Sequence, residues 1–123
     1  MSDFQAIAVE FVKHYYNTFD TDRASLVGLY RDNSMLTFQG SQHLGAASIA
    51  EKLVSLPFQK VQHHYNPPDA QPTANGIIVL VTGQLAVDGD ADRPLGFSQA
   101  FHLVQDPAGQ WFVYNDIFNL VVV

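Results

Sequence analysis

Asp88, Asp90 and Asp92 alternate along one short stretch, and alternating carboxylates are how a calcium loop begins. Such a loop also needs glycine at its sixth position and glutamate at its twelfth. Counted from Asp88, those positions hold Arg93 and Gln99, so the stretch reads as a solvated acidic hairpin and no metal is expected there. His14, His43, His64 and His102 show no ligand spacing either. Tyr15, Tyr16, His63 and Asp116 are residue types that move protons, and a cavity enzyme could recruit them as acid and base. No pair of carboxylates with opposed environments stands out to share that work. The chain has no glycine-rich phosphate loop, no H-E-x-x-H, no G-x-S-x-G and no dinucleotide fingerprint. No catalytic residue is assigned, and no cofactor is expected.

Composition narrows the partners. Net charge is −6 with only six Lys plus Arg, which disfavours nucleic acid and anionic membranes, since both need clustered cations. An acidic surface suits a basic protein partner. With no cysteine there is neither a disulfide framework nor a thiolate site. No apolar stretch is long enough to span a bilayer, and Met1-Ser2-Asp3 lacks the basic region of a secretory leader, so a soluble intracellular protein is expected. A length of 123 residues, 47% hydrophobic and 12% aromatic, suits one domain over 1–123 with a substantial core.

The elements that must position these residues follow from hydrophobic period. Ser2 with Gln5 reads as a capping box, and Phe4, Ile7, Ala8, Phe11, Tyr15 and Phe19 form one face of a long helix. Asp20-Thr21-Asp22 breaks it and caps a short second helix running to about Tyr30. Met35–Phe38 reads as a strand, and a third helix spans about Ala46 to Ser55, stopped by Pro57. The period then changes to two, with strands expected over 58–65, 77–88, 97–105 and 110–122. Helices followed by a meander give an α+β fold with an antiparallel sheet. Leu80, Thr82, Gln84, Ala86 and Asp88 share one strand face by that period. In the last strand Trp111, Val113, Ile117 and Val121 alternate with Phe112, Tyr114, Phe118 and Leu120. Both faces are therefore apolar, and a second copy of the chain is the simplest cover for the outer one.

Several blocks then agree in order and spacing with one family. They are His14-Tyr15-Tyr16 with Phe19-Asp20-Thr21-Asp22-Arg23, Met35-Leu36-Thr37-Phe38, Glu51-Lys52-Leu53-Val54, the run from Ser55 to His63, and Asn115-Asp116-Ile117-Phe118. From about Phe4 to Leu120 the chain resembles the nuclear transport factor 2 family of small import carriers. The resemblance implies a cone: a long N-terminal helix and two shorter ones on a strongly curved sheet, enclosing a hydrophobic cavity. It implies a carrier that binds GDP-bound Ran and the Phe-Gly repeats of nucleoporins, works as a homodimer, and moves between cytoplasm and nucleus with concentration at the nuclear pore. Asp88 and Asp90 match acids that pair with a lysine of Ran, and the cavity would take a phenylalanine of Ran's switch II, with Leu80 and Phe118 in its lining. His63 matches a histidine at the cavity mouth. Gln39 stands where the family has a glutamate facing an arginine of Ran, and an amide lacks that charge. Ala91-Asp92-Arg93 lengthens the acidic hairpin, and Arg93 is placed to compete for its carboxylates. Phe4 matches the aromatic that binds the pore repeats. The alternatives are a dimeric scaffold of the same fold whose Ran binding is weakened through Gln39, and a cavity enzyme of the isomerase or dehydratase type.

Overall fold

The computed structural model describes residues 3–56, 60–88 and 94–121. The elements run α1 (Phe4–Thr21), a 3-10 helix (Arg23–Leu29), β1 (Tyr30–Phe38), β2 (Ser41–Leu44), α2 (Ala46–Val54), β3 (Val61–Tyr65), β4 (Asp69–Pro72), β5 (Gly76–Val87), β6 (Leu95–Gln105) and β7 (Trp111–Val121). Seven strands form one sheet ordered β2-β1-β7-β6-β5-β3, and β4 also pairs with β5. The α+β class holds, but the sheet is mixed: β1 runs parallel to β7, while the other pairs are antiparallel. Sequence period cannot foresee that pairing, because it is set by where the first two helices return the chain.

Three further departures have local causes. Gln5 sends its side-chain amide across to the carbonyl of Pro68 at 2.8 Å, a contact that the capping-box reading did not foresee. Asp3 occupies the cap position of α1 without a side-chain bond, and Ser2 lies outside the described residues, as does the expected stop at Pro57. β1 begins five residues earlier than Met35 and turns directly into β2. Gln39 and Gly40 make that turn with φ of 52° and 87°, the left-handed pair a tight hairpin requires.

The core lies between α1 and the inner face of the sheet. Tyr15, Tyr16, Phe97 and Phe101 are all buried, with Tyr15 against Phe101 at 4.8 Å between centroids and Tyr16 against Phe97 at 5.7 Å. The helix stripe is turned slightly from the expected one. Ala8, Val12, Tyr15 and Tyr16 are its buried residues, and Phe4, Ile7, Phe11 and Phe19 pack at its margin. β3 pairs closely with β5 at Gly83, opposite Tyr65. A β carbon on Gly83 would lie 2.4 Å from the carbonyl oxygen of His64, so only glycine permits that approach.

β7 carries a bulge that decides the site. His102 faces Asn115 and Leu103 faces Val113, which leaves Tyr114 as an extra residue on β7. The bulge changes the parity of the strand. Val113, Asp116 and Phe118 are all buried, whereas Ile117 is half exposed on the outer face. The expected grouping of Val113 with Ile117 is therefore corrected.

Candidate functional site: a cavity with a polar base

A cavity of about 240 Å³ opens between α1, α2, β1 and the inner face of the sheet. Phe19, Phe38, Leu53, Val61, Leu85 and Phe118 supply apolar walls. Phe118 stacks on Phe38 at 4.9 Å and 12°, so these two rings form one wall, and Phe97 backs Phe118 from the core at 5.8 Å and 16°. Gln39 and Lys52 stand at the exposed end, with Lys52 Nζ 5.3 Å from the Phe38 ring centre. Asp116, Gln99 and Tyr15 close the buried end.

The base is a hydrogen-bonded cluster drawn from four elements. Tyr30 of β1 donates to Asp116 Oδ2 at 2.7 Å, and Tyr15 of α1 lies 3.3 Å from the same oxygen and 2.7 Å from the Tyr30 hydroxyl. Gln99 of β6 donates to Asp116 Oδ1 at 2.8 Å, and its own oxygen accepts from Tyr16 at 2.8 Å. Every group touching the carboxylate is neutral. Burial pushes the Asp116 carboxyl up to about 6, because its three donors only partly offset the lost hydration. Burial, and then the Asp116 charge, push the Tyr15 and Tyr30 hydroxyls well above the usual phenol range. Neither tyrosine is poised to lose a proton near neutrality.

His63 also lines the cavity, and its side chain is 2% exposed. Both oxygens of Asp20 hold it: Oδ1 meets ring Nδ1 at 2.7 Å, and Oδ2 accepts the backbone N–H of His63 at 3.0 Å. The ring stacks on Tyr16 at 4.3 Å. With a carboxylate oxygen as its partner, Nδ1 is the ring nitrogen that donates. Asp20 entered the sequence analysis as a helix breaker and as part of a family block, with no contact to His63 expected. Its role as a clamp depends on β3 passing the end of α1, which no local pattern reports.

The remaining expected site residues divide. Gln39 sits beside the opening, and its side-chain oxygen accepts the Leu120 N–H at 2.9 Å. Asp88 is exposed at the end of β5 with φ 52°; its amide donates to the Lys60 carbonyl and its Oδ1 accepts the Lys60 N–H at 3.1 Å. Phe118 lines the cavity. Leu80 does not: it is 47% exposed on the opposite face of β5, where the inner face belongs to Ile77, Val79, Val81 and Leu85. Leu85 takes the place that Leu80 was expected to hold. Asp90 lies outside the described residues. Phe4 is partly buried in the first turn of α1, packed against the edge of the core. Among the described residues no three His, Asp or Glu side chains converge as a metal site would need, and no helix is long and apolar enough to cross a membrane.

A curved mixed sheet wrapped on a long helix, with an apolar cavity open at one end, defines a class of small cone-shaped α+β proteins. The nuclear transport factor 2 domain matches residues 7–120, and the chain belongs to that family. It is 71% identical to nuclear transport factor 2 of Neurospora crassa over 122 residues, covering 98% of each chain. It is 55% identical to nuclear transport factor 2 of Emericella nidulans, again over 98% of each. The solved structure of nuclear transport factor 2 from Cryptosporidium parvum superposes with a TM-score of 0.91 at 44% identity, covering 97% of this chain and 95% of that one.

Proposed function

We propose that the protein is a non-enzymatic nuclear import carrier that binds GDP-bound Ran at the cavity mouth and Phe-Gly repeat nucleoporins at Phe4. The observation that carries this reading is the cavity: an aromatic-walled space of about 240 Å³ open beside Gln39, near the size one inserted phenylalanine needs. His63, buried and clamped by Asp20, gives the opening one rigid polar wall. Asp88 and Asp90 supply the acidic contacts for a lysine of Ran; for Asp90 the support is the family resemblance alone. Leu80 has no place in this site. Relatives named as transport factors favour a carrier over an enzyme. Shuttling between cytoplasm and nucleus, with concentration at the pore, follows from the two binding activities.

The carrier works as a homodimer. Ile78, Leu80 and Ile117 are each close to half exposed on the outer sheet face, beside Ala100 and His102. A face of that kind is what two copies can bury, and a stable interface needs about 1,200–2,000 Å² in total. A monomer in sedimentation at micromolar concentration would overturn this part.

The deciding experiment is a titration with Ran loaded with GDP or with a GTP analogue. Binding is expected for the GDP form alone, because switch II differs between the two states. Equal binding to both forms would overturn the carrier reading. Binding to pore repeats with no binding to either form would leave a scaffold, as the missing charge at Gln39 would then be decisive.

A further inference from the structure

The insertion of an apolar side chain makes no use of the polar base of the cavity. Asp116 and Gln99 both line it and are 1% and 4% exposed, so they present a small polar surface at the floor of an otherwise apolar space. We propose that this base is a binding site for a small uncharged aromatic alcohol, with its ring among Phe38, Phe118 and Leu85 and its hydroxyl donated to Asp116 or to the Gln99 oxygen.

The donor and acceptor inventory sets the polarity of the ligand. The Tyr30 and Tyr15 hydroxyls and the Gln99 amide are all directed at Asp116. A carboxylate offers about four lone-pair positions; Tyr30 and Gln99 take two, and the single Tyr15 proton, shared between the Tyr30 oxygen at 2.7 Å and Asp116 at 3.3 Å, takes at most a third, so at least one stays open. The Gln99 oxygen takes the Tyr16 hydroxyl and keeps a second lone pair. The unused capacity at the base is therefore acceptor capacity, and a ligand must bring the donor.

Charge and volume set the rest. Asp116 has no cation among its hydrogen-bond partners, so a carboxylate or phosphate ligand would meet an uncompensated negative charge at low dielectric. At the other end Lys52 covers the Phe38 ring and opposes the entry of a cation. An apolar cavity of about 150 Å³ holds benzene, so about 240 Å³ admits one ring with a small substituent. The parallel pair Phe38–Phe118 offers ring edges and faces for offset contact. The four-element cluster also pins α1 to the sheet, and the ligand uses only the positions that this structural role leaves open.

The test uses three fluorinated probes on the purified protein, read by fluorine NMR near neutral pH. 4-Fluorophenol is expected to bind saturably and about tenfold tighter than fluorobenzene, the ratio one hydrogen bond to a charged acceptor supplies. 4-Fluorobenzoate is expected not to bind. Leu85→Trp, which fills the apolar wall without touching the cluster, should abolish 4-fluorophenol binding while the protein still melts cooperatively. Asp116→Asn should reduce the preference for the alcohol over fluorobenzene. Equal affinity for 4-fluorophenol and fluorobenzene overturns the proposal. So does 4-fluorophenol binding that survives in Leu85→Trp, or an absence of saturable binding at millimolar probe. Should Asp116→Asn fail to fold, the wild-type probe ratio and Leu85→Trp decide alone. No arm contains Ran, so failure of the carrier reading and failure of this one are separate results.

Discussion

Asp88 and Asp116 are the same side chain in two opposite settings, one in an exposed turn after β5 and one at the buried base of the cavity. Asp88 is exposed in a left-handed turn, where it holds one backbone N–H and stays in contact with water. Asp116 is 1% exposed and bound by three neutral donors from three elements. The turn at Asp88 can change its charge with little consequence for folding. The base cannot, because its hydrogen bonds hold α1, β1, β6 and β7 to one another. Position in the fold, and not residue type, decides whether a carboxylate serves recognition or architecture.

The largest effect should come from removing the base. Asp116→Ala takes the acceptor from the Gln99 amide and the Tyr30 hydroxyl, each costing about 1–3 kcal/mol, so a loss of about 2–6 kcal/mol is expected in urea unfolding. Asp88→Asn, which keeps the turn geometry and removes the charge, should stay within about 0.5 kcal/mol. Similar losses for the two variants would break the comparison.

The pH dependence sharpens it. The Asp116 carboxyl sits at about 6 in the fold against an ordinary 3.8, so the folded state keeps a proton that the unfolded chain has released. Its contribution to stability is therefore greatest below about pH 4 and is lost as pH rises through 6, by roughly 3 kcal/mol at 1.36 kcal/mol per unit. Measured against Asp116→Asn, wild-type stability should fall by that amount between pH 4 and 7. A flat difference would mean that the carboxylate is hydrated.

At the mouth the expected changes lie in binding. Gln39→Glu keeps an oxygen for the Leu120 N–H and adds a charge, so affinity for GDP-bound Ran should rise about tenfold or more, with stability unchanged. An unchanged affinity would remove Gln39 from the site. Phe4→Ala should cost about 1 kcal/mol, as expected for a partly buried ring at the core margin. That variant should weaken binding to Phe-x-Phe-Gly peptides and leave Ran binding intact. A loss of about 3–5 kcal/mol would mark Phe4 as core instead.

Local pattern was enough for the order of the helices and of five strands, because period 3.6 and period 2 are written in neighbouring residues; it missed the four-residue strands β2 and β4, which are too short to show a period. Blocks such as Asn115-Asp116-Ile117-Phe118 were enough for the family, and with it the cavity and Phe118 in its wall. Leu80 shows where period alone ran out: alternation placed it correctly with Thr82 and Gln84, but could not say which face of β5 turns inward. The bulge at Tyr114 is the same problem within β7, since one extra residue moved Asp116 to the inner face with Val113. The parallel pairing of β1 with β7, the grip of Asp20 on His63 and the four-element cluster around Asp116 all join residues far apart in the chain. Such contacts exist only once the sheet has closed around α1, so the sequence by itself determined which residues were available, and the tertiary structure decided which of them meet.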